Sequence, residues 1–467
     1  MTDKDKDKKN KKNISINIKK INNDHDDNYD DENNHYQNKR KRSNSESDIY
    51  TNKILLRSKY DIYFKNQDKS KQIDILNKED ELYNYFEQDT PLRYKILYSS
   101  LPMATKSLIM QKIDFFELMS PKDSEYNKLS KWFKGLSQIP FDNYIKMPVS
   151  IKDSDSKIQK FLFDSYEILR KTIYGQNEAK NKIMQILAQW ISNPNSTGQI
   201  IALDGPPGVG KTSLVRHGVS KALNRPFCFY ALGGATDISN LEGHSYTYEG
   251  AVWGRMVEML MESKVMNPVI FFDELDKISK TSKGNEITGL LTHLTDYSQN
   301  NVFHDKYFSG VDIDFSKSIF FFSYNDINLI NPILKDRLTI VKFAGYELEE
   351  KIRIVKDFII PEIEKNVGFK KDEININVDN IKYIINKYTD KEEGVRNIKR
   401  SVEDLFLKIN LLRLMKNNNG NDINIEYSIK NLAFPLNITN EIVDELLSSK
   451  NKDNAKKQKT GLEMMYS

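Results

Sequence analysis

Residues 205–212 read Gly205-Pro206-Pro207-Gly208-Val209-Gly210-Lys211-Thr212. This stretch matches the spacing G-x-x-x-x-G-K-[ST], and it lies between an apolar run, residues 200–203, and a helical stretch, residues 212–223. Glycines let the backbone fold so that successive N–H groups point at one anion, and the N-terminus of the following helix adds partial positive charge. The pattern therefore predicts a loop that binds phosphate groups.

Short apolar runs around this loop indicate the fold class. Besides residues 200–203, they cover residues 226–231, 269–272 and 318–323, and helical stretches separate them. Runs of this kind are typical of strands buried on both faces of a parallel sheet. After residue 345 the pattern is mainly helical, and one helical face carries Val395, Ile398, Val402, Leu405, Phe406, Ile409 and Leu412. We expect an α/β core, a parallel sheet flanked by helices, followed by a small helical lid.

The whole chain divides into five predicted parts. Residues 1–50 form a charged leader with too few apolar side chains to fold, and residues 51–150 form a helical segment with a break at Ser120-Pro121. Residues 151–345 are the α/β domain, residues 346–440 the lid, and residues 441–467 a flexible tail. The basic run Lys39–Arg42 suits a nuclear-localisation signal or a phosphate-binding patch, but a solvated charge run is the favoured interpretation.

Composition limits the class of protein. The chain has 467 residues, a formal net charge of +4 and one cysteine, Cys228, which excludes an internal disulfide. It contains no apolar run near the roughly 18 residues that span a bilayer, and its N-terminus is rich in Lys, Asp and Asn. We therefore expect a soluble intracellular protein, cytoplasmic or nuclear, without a membrane partner, and neither secreted nor targeted to mitochondria.

Two carboxylates complete the predicted phosphate site. Asp273 and Glu274 end the apolar run of residues 269–272. Lys211 is expected to reach the β- and γ-phosphates of ATP, while the Thr212 hydroxyl and Asp273 hold Mg²⁺. Glu274 is expected to orient and deprotonate the attacking water. The alternative, a pair of acids that caps a helix, is the weaker interpretation beside an intact phosphate loop.

Two further residues belong to the predicted site by their order in the chain. Asn325 follows the run of residues 318–323, where its amide can touch the γ-phosphate or the attacking water. Arg337 is predicted to lie on the surface and to reach the γ-phosphate of a neighbouring copy, as an arginine finger. Taken alone, Asn325 also suits a turn cap, and Arg337 a surface ion pair.

These residues, together with longer signatures, resemble the AAA+ ATPase module of Lon proteases. The signatures occur in Lon order and comprise Leu232–Asp237, Gly243–Gly250, Gly254-Arg255, Asp273–Ile278 and Gly394–Asn397, preceded by Leu101-Pro102, Trp132-Phe133, Ile139–Phe141 and Tyr174-Gly175. The resemblance covers about residues 95–440.

The resemblance implies roles for individual residues and an assembly. Tyr174 and Gly175 would lie near the adenine, Asn325 would be sensor 1, Arg337 the finger that acts in trans, and Arg396 sensor 2 on the lid. The resemblance also implies a homo-oligomeric ring, usually a hexamer, whose pore grips unfolded or extended polypeptide. Tyr248 occupies the aromatic pore position, although a tyrosine packed on its own loop is the alternative.

Three departures from the Lon pattern affect these expectations. Glu249 stands where Lon usually has an aliphatic residue, and Trp253 where proline is common. No stretch like P-K-D-G-P-S-A-G, which carries the catalytic serine of the Lon protease domain, occurs in the chain, and Ser120–Ser124 echoes it only superficially. We therefore expect no Ser-Lys protease site and no peptidase activity of this chain by itself.

Three functions remain open at this point. The leading one is an ATP-driven remodeller or translocator of polypeptide. A nucleic-acid-associated motor or clamp is the second, since the basic blocks of the leader can contact phosphates. The third is an ATP-binding regulatory subunit of a separate peptidase.

Overall fold

The computed structural model describes residues 61–86, 90–193, 200–235, 237–389, 392–415, 427–429 and 432–448. The predicted leader, residues 1–50, and most of the predicted tail lie outside this part of the chain. Two compact units divide at residue 89. The first contributes the helices Asp61–Lys65 and Lys69–Phe86, and everything described below belongs to the second. None of the helices in the described ranges is long and apolar enough to cross a membrane.

A five-stranded parallel sheet forms the centre of the second unit. Its strands are β1 (Ile200–Asp204), β2 (Phe227–Ala231), β3 (Val269–Asp273), β6 (Ile319–Tyr324) and β7 (Thr339–Lys342), in the spatial order β2-β3-β6-β1-β7. The pairs β4–β5 (Phe303–His304 and Asp312–Ile313) and β8–β9 (Ile374–Asn375 and Leu436–Asn437) form two small ribbons. In register, Ala202 faces Phe322 and Ala231 faces Asp273, so the carboxyl ends of the strands meet at one edge.

Successive side chains of each strand point to opposite sides of the sheet, and helices cover both sides, so the sheet is buried on both faces. On one side, Ile201, Leu203 and Phe271 belong to the same core as the helices Asp155–Thr172 and Asn177–Ser192, and this core continues into the lid. On the other, Ile200, Ala202, Ile270 and Phe272 pack with the helices Met103–Glu117, Ser124–Gln138 and Arg255–Ser263. The predicted α/β class with flanking helices is confirmed.

The remaining helices of the α/β part are mostly short. After the phosphate loop, an α-helix starts at Lys211–Ser213, widens into a π-helix over Leu214–Val219 and ends as Ser220–Leu223. The others are Leu92–Tyr98, Ser239–Glu242, Ser282–Leu294 and Pro332–Lys335, with 3-10 turns at Leu275–Lys277 and Ile327–Leu329.

The lid is helical, as predicted. Its helices are Leu348–Ile354, a π-helical turn Val355–Ile359, Ile360–Val367, Val378–Tyr388, Arg396–Met415 and residues 440–448. Pro361 follows the π-helical turn, and because proline has no N–H it cannot donate to the carbonyl of residue 357. The missing bond accounts for the widened turn at this point.

The structure differs from the sequence prediction in three places. The sequence analysis does not predict β7, because it is only four residues long and ends in a lysine. Residues 440–448, assigned to a flexible tail from 441, instead form a helix that buries Val443, Leu446 and Leu447 against the lid. The helical segment breaks at residues 99–102 as well as near Ser120, because the serine pair and Pro102 interrupt it.

Candidate functional site

The phosphate loop connects β1 to the helix that starts at Lys211. Lys211 is 8% exposed, and its ammonium group donates to the carbonyl oxygens of Gly205 and Tyr324 (2.9 Å for the latter) and to Oδ1 of Asn325 (2.8 Å). Burial lowers the pKa of the Lys211 ammonium, and the charges of Asp273, Asp276 and Asp204 oppose this effect. All three ammonium hydrogens have acceptors, so the charge is held between the loop and the end of β6.

The acids that end β3 lie opposite this lysine. Ser323, on neighbouring β6, donates its hydroxyl to Oδ1 of Asp273, and the backbone N–H of Glu274 donates to the same oxygen at 3.1 Å. Glu274 has positive φ (59°), which turns its side chain away from the direction of the strand. The carboxylates of Asp273 and Glu274 therefore point in different directions, as is required if one holds Mg²⁺ and the other activates water.

The side chain of Glu274 lies over the turn that follows β2. A Cβ built on Gly233 would lie 2.2 Å from Oε2 of Glu274, whereas one built on Gly234 would meet nothing within 4 Å. Only glycine at position 233 leaves room for the carboxylate in this orientation.

The lid contacts the phosphate loop directly. The backbone N–H of Val395 donates to the carbonyl of Gly208 at 3.2 Å, and a Cβ on Gly208 (φ 82°) would lie 3.0 Å from both N and Cβ of Arg396. A Cβ on Gly394 would lie 2.1 Å from the carbonyl oxygen of Pro207. Two glycines thus permit backbone contact here, and Arg396 lies beside the loop.

The other end of the cleft is mostly apolar. Tyr174 and Ile173 precede the helix Asn177–Ser192, and Ile354 and Phe358 reach the cleft from the lid. The hydroxyl of Tyr346 lies 3.0 Å from the carbonyl oxygen of Val209 and 3.2 Å from that of Tyr174. Flat apolar walls and backbone groups of this kind suit a nucleotide base.

Together these groups line one cleft of about 460 Å³ at the carboxyl edge of the sheet. The position matches the general place of ligand sites in open α/β sheets. Of the residues predicted from the sequence, its lining contains Tyr174, Pro207, Gly208, Val209, Gly210, Lys211, Thr212, Asp273, Glu274, Asn325 and Arg396. Gly205, Pro206 and Gly175 belong to the segments that border it.

Arg337 does not line this cleft. It lies after the helix Pro332–Lys335, and its guanidinium contacts Oδ2 of Asp296 at 2.8 Å and donates to the carbonyl of Thr292 at 3.1 Å. The hydroxyl and the N–H of Ser298, followed by Arg337, lower the pKa of Asp296 to about 2. The prediction that Arg337 stays away from its own phosphate site agrees with this position.

Tyr248 lies on the loop between β2 and the helix Arg255–Ser263 and is not part of the cleft. Its side chain is 70% exposed, which does not agree with the alternative that it packs on its own loop. The neighbouring Glu249 is also exposed.

The oxygen ligands present fit Mg²⁺. The Thr212 hydroxyl and the Asp273 carboxylate are hard oxygen donors on the lining of the same cleft. Among the described residues no group of three or more His, Cys, Asp or Glu side chains forms a metal site. An Mg²⁺ held by Thr212 and Asp273 would take its other ligands from water and phosphate, as this ion commonly does.

Residues 201–346 match the ATPase family associated with various cellular activities (AAA), and residues 365–421 match the Lon protease AAA+ ATPase lid domain. The chain contains a Lon-type AAA+ module. The order of the two matches is the order of core and lid in the structure, and the AAA match implies nucleotide binding.

Several proteins named as Lon proteases are similar over most of this chain. A Lon protease homolog from Acanthamoeba polyphaga mimivirus is 37% identical over 366 residues, 76% of this chain and 35% of that protein. The Lon protease of Campylobacter concisus is 35% identical over 69% of this chain and 39% of its own length. A mitochondrial Lon protease homolog of Schizosaccharomyces pombe is 34% identical over 66% of this chain and 28% of its own length.

The chain thus spans well under half the length of these relatives. That one of them is named mitochondrial runs counter to the expectation that this chain lacks organelle targeting. The leader on which that expectation was based lies outside the described residues, so it stays a prediction.

Some residues of the site were not found from the sequence. Ser323, Tyr346, Phe358 and Gly233 all contact the cleft or its acids. Ser323 carried a weak signal, since it precedes the Tyr324-Asn325 pair at the end of an apolar run. Gly233 lies within the signature Leu232–Asp237, although no role was assigned to it. Tyr346 and Phe358 lie far along the chain from their partners, and no local pattern marks them.

Proposed function

We propose that this module hydrolyses ATP and uses the energy to remodel or translocate polypeptide through a ring of copies of this chain. The single observation that carries the proposal is the convergence of Lys211, Asp273, Glu274, Asn325 and Arg396 on one cleft between core and lid. A lid residue within the cleft links the state of the nucleotide to the position of the lid.

The chemistry follows from these groups. The loop N–H groups, Lys211 and Arg396 bind the phosphates and offset their negative charge. Thr212 and Asp273 would hold Mg²⁺, which would supply further positive charge beside the phosphates. Glu274 takes the proton of the attacking water, and the Asn325 amide orients that water or the γ-phosphate. Tyr174 and Gly175 lie beside the base.

Arg337 serves the cleft of a neighbouring copy in this proposal. Its position outside its own cleft supports the assignment. Its ion pair with Asp296 is the alternative that the sequence left open, and in the proposed ring the guanidinium would exchange this contact for the phosphate of the neighbouring copy. A guanidinium that reaches the γ-phosphate from the next subunit explains why turnover would require a ring, hexameric by resemblance.

Tyr248 is the residue proposed to grip polypeptide. Its exposure and its place on a loop outside the cleft support this role, because an exposed aromatic ring can contact many kinds of side chain. We expect an unfolded protein such as casein to raise the ATP turnover of the full chain severalfold, and Tyr248→Ala to abolish most of that increase. Phosphate release by the wild type and by Tyr248→Ala, with and without casein, measures the increase. Equal stimulation of the wild type and the variant by casein would contradict the role of Tyr248.

The same assay separates the alternative functions. A nucleic-acid motor predicts stimulation by duplex DNA that falls steeply with salt, and no response to casein. A regulatory subunit predicts slow turnover alone and co-purification with a peptidase. The proposal also keeps the prediction that this chain alone does not cleave casein, which gel analysis of the same reactions tests.

A further inference from the structure

The loop that carries Tyr248, residues 243–254, is narrow and fixed at its base. The N–H of His244 donates to the carbonyl of Val252 at 3.1 Å, and a Cβ on Gly243 would lie 2.7 Å from the backbone nitrogen of Gly254. Oδ2 of the buried Asp305 accepts the N–H of Gly254 at 2.8 Å. The two ends of the loop are therefore held against each other and against residue 305.

One side of the loop packs on the helix Ser124–Gln138. Lys131 donates to the carbonyl of Ala251 at 2.8 Å, and Trp253 stacks on Phe308 with ring centroids 6.1 Å apart. A Cβ on Gly135 would lie 2.8 Å from the Trp253 ring, so this glycine admits the indole. Trp253, one of the departures from the Lon pattern, is thus a packing residue that faces the protein.

Among the described residues, the tip of the loop, residues 247–250, has no hydrogen bond or ring contact with another segment. Its turn is closed by the N–H of Tyr248, which donates to Ser245 O at 3.1 Å, and by the N–H of Ala251, which donates to Tyr248 O at 3.3 Å. A Cβ on Gly250 would meet nothing within 4 Å. The exposed side chains at the tip are Thr247, Tyr248 and Glu249.

The cations near the loop already have partners. Lys131 binds the loop backbone, Lys306 pairs with Glu242 at 2.9 Å, and Arg255 pairs with two glutamates of its own helix. Lys112 lies 4.5 Å from the ring of Trp132. Glu249 takes part in no ion pair within the described ranges. The tip therefore presents an aromatic ring beside one negative charge that is not neutralised.

We propose that the polypeptide gripped at Tyr248 is recognised in part by charge: Glu249 favours cationic segments and disfavours acidic ones. The inference rests on the proposed function and names the substrate class of the same loop. Opposite unit charges about 4 Å apart in water attract by an amount that corresponds to about fivefold in binding. Several copies of Glu249 around a ring would multiply the effect on one chain segment.

The test uses two unfolded polypeptides of equal length and equal apolar and aromatic content, one rich in Lys and one rich in Glu. ATP turnover of the full chain is measured against the concentration of each at low salt. We expect the Lys-rich polypeptide to give half-maximal stimulation at a concentration at least about fivefold lower than the Glu-rich polypeptide. At about 1 M salt the two concentrations should converge, because the Debye length falls to about 3 Å.

Glu249→Gln separates this loop from the general charge of the protein. It should bring the two concentrations within about twofold of each other, whereas Glu441→Gln, which removes the same charge from the exposed start of the last lid helix, should keep the preference. The inference is overturned if Glu249→Gln keeps the preference for the Lys-rich polypeptide. It is also overturned if the two polypeptides stimulate the wild type at equal concentrations while Tyr248→Ala abolishes stimulation. Neither result overturns the proposed function. Failure of both polypeptides to stimulate the wild type counts against the proposed function itself.

Discussion

At the scale of single residues, the orientation of Glu274 depends on the absence of a side chain at position 233. The turn after β2 contains two glycines, and only the first touches the carboxylate: the built Cβ lies 2.2 Å from Oε2 at Gly233 and more than 4 Å from any neighbour at Gly234. The pair offers a test of Glu274 that does not alter the acid itself.

Gly233→Ala should lower kcat for ATP hydrolysis by at least about tenfold, since displacing a catalytic group by about 1 Å can cost as much as a hundredfold. ATP binding should stay within about twofold of the wild type, because the phosphate loop is a separate segment. Steady-state phosphate release and equilibrium nucleotide binding measure the two effects. Gly234→Ala is the matched control, and an equal kcat for the two variants would show that Gly233 does not position Glu274.

The site residues that belong to a short local motif could be predicted from the sequence. The loop from Gly205 to Thr212 and the acids at the end of β3 are local patterns, and the structure brings them to one cleft. Their catalytic roles stay predictions. Tyr346 was missed because its partner, Val209, lies 137 residues away. Contacts of this kind depend on the fold and leave no local periodicity.

At the scale of elements, the length and composition of a strand decided whether it could be predicted. The buried strands β1, β3 and β6 were recognised, and so was β2 at one edge, whose five residues Phe227–Ala231 are apolar or aromatic although partly exposed. The four-residue strand β7 at the other edge begins with threonine, ends with lysine and was not recognised. The helix of residues 440–448 was also missed, although Ile442, Val443, Leu446 and Leu447 follow the helical spacing. The polar residues around it outweighed that signal.

The buried carboxyl of Asp305, beside the base of the loop of Tyr248, is expected to make the stability of the fold depend on pH. Burial raises the pKa of its carboxyl to about 6, against the N–H groups of Gly254, Tyr307 and Phe308, which lower it. Between about pH 4 and pH 6 the folded protein therefore holds a proton that the unfolded chain has released. The stability due to this group is present at low pH, falls as the pH rises through about 6, and is constant above that.

Asp305→Asn should remove this pH dependence. From about pH 4.5 to about pH 7.5 the free energy of unfolding of the wild type should fall by about 2 kcal/mol relative to that of the variant. Urea unfolding of both proteins at the two pH values gives the comparison, in which all other titrating groups cancel. A difference between the proteins that is the same at both pH values would mean that Asp305 titrates near its ordinary pKa.

At the scale of the whole second unit, the two faces of the sheet have different neighbours. The core on one face continues into the lid, which reaches the cleft through Val395 and Arg396. The helix Ser124–Gln138 packs on the other face and holds the loop of Tyr248. A ring of such units requires contacts between copies, which the periodicity of one chain does not encode, so assembly is an expectation from resemblance.

The most direct test of this account is ATP hydrolysis by the wild type and by Glu274→Gln, measured as phosphate release together with ATP binding. The glutamine variant keeps the shape of the side chain and removes the general base, which typically contributes at least about a hundredfold. We predict that it binds ATP within about twofold of the wild type and releases phosphate at least about a hundredfold more slowly. Equal rates of phosphate release from the two proteins would contradict the assignment of this cleft as an ATPase site.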